Sequence, residues 1–132
     1  MGQQEKARAI VAEKYEFSMS TRLTEEQWVA AARRAAEASK MALKGKVFPG
    51  ELKQTDSGAT LLPCTVKGPA GAVNIMIFGL FGEAADDGTT KVSILVNDFL
   101  FQKGSMGMKP TINAGKIMDR FTDILKTELA AG

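Results

Sequence analysis

Ala72-Val73-Asn74-Ile75-Met76-Ile77-Phe78-Gly79-Leu80-Phe81 is the stretch on which the fold turns. A strand shows alternate residues to opposite faces of its sheet. One parity here carries Val73, Ile75, Ile77, Gly79 and Phe81. The other carries Ala72, Asn74, Met76, Phe78 and Leu80. Both are mostly apolar. A sheet covered by helices on one side only should alternate apolar with polar. Residues 72–81 therefore read as a strand whose two faces both need cover.

The neighbouring segments supply the rest of a sheet. Residues 59–67 put Leu62, Cys64 and Val66 on one face and Pro63 on the other. Gly68-Pro69-Ala70-Gly71 turns the chain before the central strand. Residues 82–90 are a polar loop with Asp86-Asp87-Gly88 as turn chemistry, and 91–101 form the last strand. Residues 46–55, broken by Pro49-Gly50, read as an edge strand ahead of the turn Asp56-Ser57-Gly58. Short turns make these neighbours antiparallel. Within 91–101, Val92, Ile94 and Val96 share a parity with Asp98, whereas Phe99 and Phe101 fall on the other. A bulge at Asn97-Asp98 is the plainer explanation. A buried Asp98 with a raised pKa is the sharper one, and would mark a functional site.

Residues 15–21 alternate Tyr15, Phe17 and Met19 with Glu16, Ser18 and Ser20, the pattern of a half-buried strand. Thr24 and Gln27 have the spacing of a capping box, and Leu23 can staple onto Trp28. A helix is predicted over 24–44, stopped by Gly45. Its many alanines favour a stable helix that lies close to its neighbour. Near the other end, Gly104-Ser105-Met106-Gly107-Met108 reads as an adaptable flap within a loop over 103–109. A final helix over 110–130 carries Ile117, Met118, Phe121, Ile124, Leu125 and Leu129 as an apolar stripe. Residues 1–14 form an arm or short helix, and 15–132 one α+β domain.

The order is thus strand, helix, four strands, helix: β-α-β4-α, an α+β order that looks like the helix-grip arrangement, in which a curved antiparallel sheet packs on a long C-terminal helix. By element order it resembles the helix-grip group, the START and polyketide-cyclase-like proteins, with a TATA-binding-protein-like half-domain as a relative in topology. One long first helix stands where the larger lipid-binding members have two short ones. The resemblance implies a space for a small apolar ligand between sheet and final helix.

Composition narrows the chemistry. The chain has 132 residues, 45% hydrophobic and 24% charged, with no histidine and one cysteine, Cys64. Triads, dyads and metal sites built on imidazole are excluded, as are an internal disulfide and a cysteine metal cage. No cofactor or metal is expected. Net charge is +2, too balanced for duplex binding by phosphate neutralisation alone. No apolar stretch approaches a membrane span, and the first residues have no signal-peptide pattern, so a cytoplasmic, non-membrane protein is expected.

With helices on one face of the sheet, Met76, Phe78 and Leu80 are predicted to be exposed and to form the interface of a homodimer. Phe99, Phe101, Met106, Met108, Met118 and Phe121 are the candidate contacts for a small apolar ligand. The leading expectation is a non-enzymatic binding or assembly protein. The alternative is a small cyclase- or hydratase-like enzyme with Asp98 as its carboxylate and Tyr15 as proton donor. Single-strand nucleic acid on an open sheet would need basic residues among exposed aromatics. Residues 72–81 hold no lysine or arginine, so nucleic acid is not expected.

Overall fold

The computed structural model describes the backbone of residues 13–41, 45–68, 74–99, 101–104, 107–110 and 112–132, and the side chains of 13–41, 45–68, 76–97 and 115–132. The architecture is α+β. Strand β1 (Phe17–Thr21) leads into helix α1 (Glu25–Ala38). Then come β2 (Lys46–Pro49), β3 (Lys53–Gln54), β4 (Thr60–Lys67), β5 (Asn74–Ala84) and β6 (Thr90–Phe99). A hairpin of β7 (Phe101–Gly104) and β8 (Gly107–Pro110) precedes helix α2 (Ile112–Ala130).

The six strands of the main sheet run β1-β6-β5-β4-β2, with β3 also on β4, and every pairing is antiparallel. The sheet is curved, and α2 packs on it. The β4–β5 register shifts between Val66 and Lys67, and the β5–β6 register between Ile77 and Phe78. Phe78 faces Val96 while Ile77 faces Asp98, so Asn97 is the extra residue of a bulge. The sequence parity break at Asp98 is this bulge, which bends the strand and increases its twist.

Helix α1 starts where its sequence says. The Thr24 side chain accepts from the Gln27 backbone N–H, and Gln27 Oε1 accepts from the Thr24 N–H at 2.9 Å. It ends at Ala38, six residues short of the predicted last residue, 44. Ser39 is the C-cap: its N–H donates to Ala35 O at 2.9 Å and its hydroxyl to Ala36 O at 3.1 Å. A side-chain hydroxyl thereby satisfies a carbonyl that the helix end leaves without a partner. Gly45 lies beyond, in an isolated bridge with Met41. Trp28, Val29, Ala32, Ala35 and Ala36 are buried, and the alanines let α1 sit close to its neighbours.

Three further expectations are corrected. The loop over 103–109 is largely a hairpin, and Pro110, expected to open the last helix, ends β8. Tyr15, expected in β1, is the last of three helical residues, 13–15. Residues 1–12 of the expected arm lie outside the described residues.

The core fills one side of the sheet. Leu62, Cys64, Val66, Met76, Phe78, Leu80, Val92 and Ile94 are at most 1% exposed, as are Ile117, Met118, Phe121, Leu125 and Leu129 from α2. Phe78 and Phe121 meet edge to face, ring centroids 5.3 Å apart. The Thr21 hydroxyl donates to Leu129 O at 2.8 Å, and Arg34 binds both carboxylate oxygens of Glu128. These contacts fasten β1 and α1 to the C-terminal turns of α2.

Candidate functional site

Strand alternation puts one set of residues on the helix side and leaves the other set looking outward. Across β2, β4 and β5, Phe48 pairs with Thr65 and Thr65 with Ile77. Pro63 pairs with Gly79 and Gly79 with Leu95. Leu61 pairs with Phe81, Phe81 with Ser93, and Ser93 lies opposite Ser18. Directly opposed residues are close neighbours, so these rows form one continuous surface. Phe48, Ile77 and Leu95 are 38%, 36% and 44% exposed, and Leu61, Pro63 and Phe81 are partly buried. Among the described residues no helix covers this face. It is an apolar strip across four strands.

Its border is polar. Lys46 faces Lys67, and Lys53 faces Leu61. Glu83 faces Lys91, and Lys91 faces Ser20. On the β1 side the Ser18 and Ser93 hydroxyls lie 2.8 Å apart. An apolar centre with a polar rim is the anatomy of a contact surface.

The predicted interface residues occupy the other face. Met76, Phe78 and Leu80 are 1%, 0% and 0% exposed, beneath the helices. The expectation named the wrong parity. The physical reason is that residues 72–81 are apolar on both faces, so alternation cannot say which side the helices take. Partner strands decide it: Leu62, Cys64 and Val66 oppose Leu80, Phe78 and Met76.

Of the candidate ligand contacts, Met118 and Phe121 are fully buried. With no exposed surface, neither borders a space that admits a water, so they are core residues. The side chains of Phe99, Phe101, Met106 and Met108 lie outside the described residues, as does that of Asp98. The backbone of Asp98 is opposite Ile77, an outward residue. Tyr15 is buried on the helix side, its hydroxyl donating to Gly115 O at 3.4 Å, and burial pushes its pKa up. Cys64 is buried, and burial pushes its thiol up to about 12, the opposite of an activated nucleophile. No group of three or more carboxylates and thiols among the described residues has the arrangement of a metal site. No helix of the described residues is long and apolar enough to cross a membrane.

Leu95 and Phe48 were missed in the sequence. Leu95 follows Lys91 and Ser93 on the polar parity of β6, and that lone apolar residue was the available signal. Phe48 sits beside Pro49-Gly50, which draws the eye to the turn rather than the face.

No family model matches the chain, and no curated protein or solved structure matches it significantly.

Proposed function

We propose that the chain is a non-enzymatic assembly protein that pairs with a second copy of itself through the outward face of its sheet. The supporting observation is the strip of Phe48, Ile77 and Leu95, each more than a third exposed, on a sheet whose other face carries the core. Face-to-face packing of two such sheets buries alternate residues from both in one layer. A second copy is the favoured occupant because two-fold homo-oligomers are the commonest assembly and need only one self-matching patch. The antiparallel sheet around a C-terminal helix is in keeping with a helix-grip relationship. Met118 and Phe121 are buried in the core, and a small apolar ligand is not part of this reading.

The test is the mass of the purified chain by light scattering at tens of micromolar. A dimer mass is expected, falling to the monomer mass in Leu95→Glu with the far-ultraviolet dichroism unchanged. A monomer mass for the parent chain overturns the reading.

A further inference from the structure

The outward face has one corner where charge is arranged against the usual rule. Lys46 and Lys67 are directly opposed on β2 and β4. Like charges in that position destabilise a sheet. Both ammonium groups also converge on one exposed ring: Lys46 Nζ lies 5.0 Å and Lys67 Nζ 5.2 Å from the Phe48 centroid. The Lys46 side chain is 19% exposed and held by an ion pair with Glu37 of α1. Among the described residues no carboxylate meets Lys67. Elsewhere on the rim the lysines stand singly: Lys53 faces Leu61, and Lys91, near the start of β6, faces Glu83.

We infer that this corner is a binding site for a nucleotide, as a single-stranded segment or as a free mononucleotide. A phosphoryl group between the two ammonium groups relieves their repulsion, and the base lies against Phe48 and the neighbouring Thr65–Ile77 row. Phosphate provides the charge, and an aromatic base provides the flat apolar partner that a phenylalanine ring accepts. Residues 72–81 contribute no basic group to this face, but the neighbouring strands do. Only here among the described residues do two rim lysines oppose each other directly, and such a pair fits a single phosphoryl group better than a sheet of lipid headgroups. Among the described residues Glu37 is the one opposing carboxylate in contact, and it is on the solvent side at 69% exposure. The corner shares Phe48 and Ile77 with the proposed dimer face, so a nucleotide and a second copy compete for it, and the inference does not need the dimer to exist.

The experiment is fluorescence anisotropy with a labelled oligothymidylate at several salt concentrations, with adenosine monophosphate as competitor. Binding that weakens as salt rises is expected. Phe48→Ala should weaken it at least about fivefold, the lower end of what a stacked base is worth. Lys67→Gln should weaken it and flatten the salt slope, and Lys67→Arg should restore it. Competition by the mononucleotide at matching concentration identifies the free nucleotide as the ligand, and its absence identifies the strand. No salt-dependent binding to either probe overturns the inference. So does equal binding by Phe48→Ala, or binding to anionic phosphatidylserine vesicles without binding to the oligomer. A Lys67→Gln chain that loses its dimer mass assigns the corner to a partner's carboxylate and also overturns it. Failure of the parent to dimerise leaves the nucleotide result unaffected, so the two readings fall separately.

Discussion

Gly82 and Trp28 are in such close approach that a Cβ on Gly82 would lie 2.6 Å from Trp28 Cζ2. Real carbon atoms do not come that near, so the indole of α1 occupies the space a side chain on β5 would take. The capping box fixes where Trp28 begins the buried face of α1, and Gly82 gives it a seat on the sheet. Neither partner can change alone. Gly82→Ala should destabilise the protein by about 1–3 kcal/mol through overpacking. Trp28→Ala should cost about 3–5 kcal/mol through the cavity it leaves. Urea denaturation with unchanged slopes measures both, and a neutral Gly82→Ala contradicts the close approach.

The two faces of β5 should respond in opposite ways to the same charge. Met76→Glu buries a carboxylate with no partner and should unfold the chain or cost more than about 3 kcal/mol. Ile77→Glu, one residue along, should leave the thermal midpoint nearly unchanged and remove the dimer. Paired scattering and melting measurements separate them. Equal loss of stability in both variants would mean that the outward face is covered within the chain.

Thr24→Ala should cost about 0.5–2 kcal/mol, because the hydroxyl that accepts from Gln27 is lost while the helix start stays exposed to water. Thr24→Ser should recover most of it. A loss no larger than a few tenths would show the capping box to be dispensable.

The Cys64 thiol, pushed up to about 12 by burial, should be inert in the folded chain. At neutral pH only about one thiol in a hundred thousand is ionised at such a pKa. Ellman's reagent should give no colour on the native protein and one equivalent in denaturant. Rapid native reaction would show that the core opens locally.

Lys46 holds the Glu37 carboxyl below its usual value, first through a hydrogen bond and then through charge. The folded chain therefore favours the ionised form. The pair contributes above the unfolded carboxyl value and is lost as pH falls through the lowered folded one. Glu37 is exposed, so the gain is small. Thermal midpoints of the parent and Glu37→Gln should differ slightly at neutral pH and converge in acid. A gap that persists at low pH would exclude the ion pair as its cause.

How much of this was legible depended on how local the cause was. Leu23, Thr24, Gln27 and Trp28 encode the start of α1 within a few residues, and the structure starts it there. The Asn97 bulge showed itself as a broken parity. The end of α1 was not legible, since Ser39 stops it by a side-chain bond in a sequence that otherwise favours continuing. The hairpin of β7 and β8 hid in a glycine-rich run that reads equally as a loop. For the site, the presence of surplus apolar surface was readable and its side was not. That choice belongs to the partner strands and to α2, which are remote in sequence. The convergence of Lys46 and Lys67 on Phe48 likewise exists only once β2 and β4 are paired.

The long reach of β1 sets the order in which the molecule is completed. Ser18 meets Ser93, 75 residues on, and the Thr21 hydroxyl meets Leu129 O, 108 residues on. A ribosome adding about 5–20 residues per second needs roughly 5–20 seconds to cover that second interval. Strand β1 is thus made well before β6, the strand it pairs with, and the Thr21 contact waits for the end of α2. The hairpins of β4, β5 and β6 are local and close early. For seconds the newborn chain therefore carries β1 unpaired beside a growing sheet with an open edge, and that is when it is most in need of protection from its neighbours.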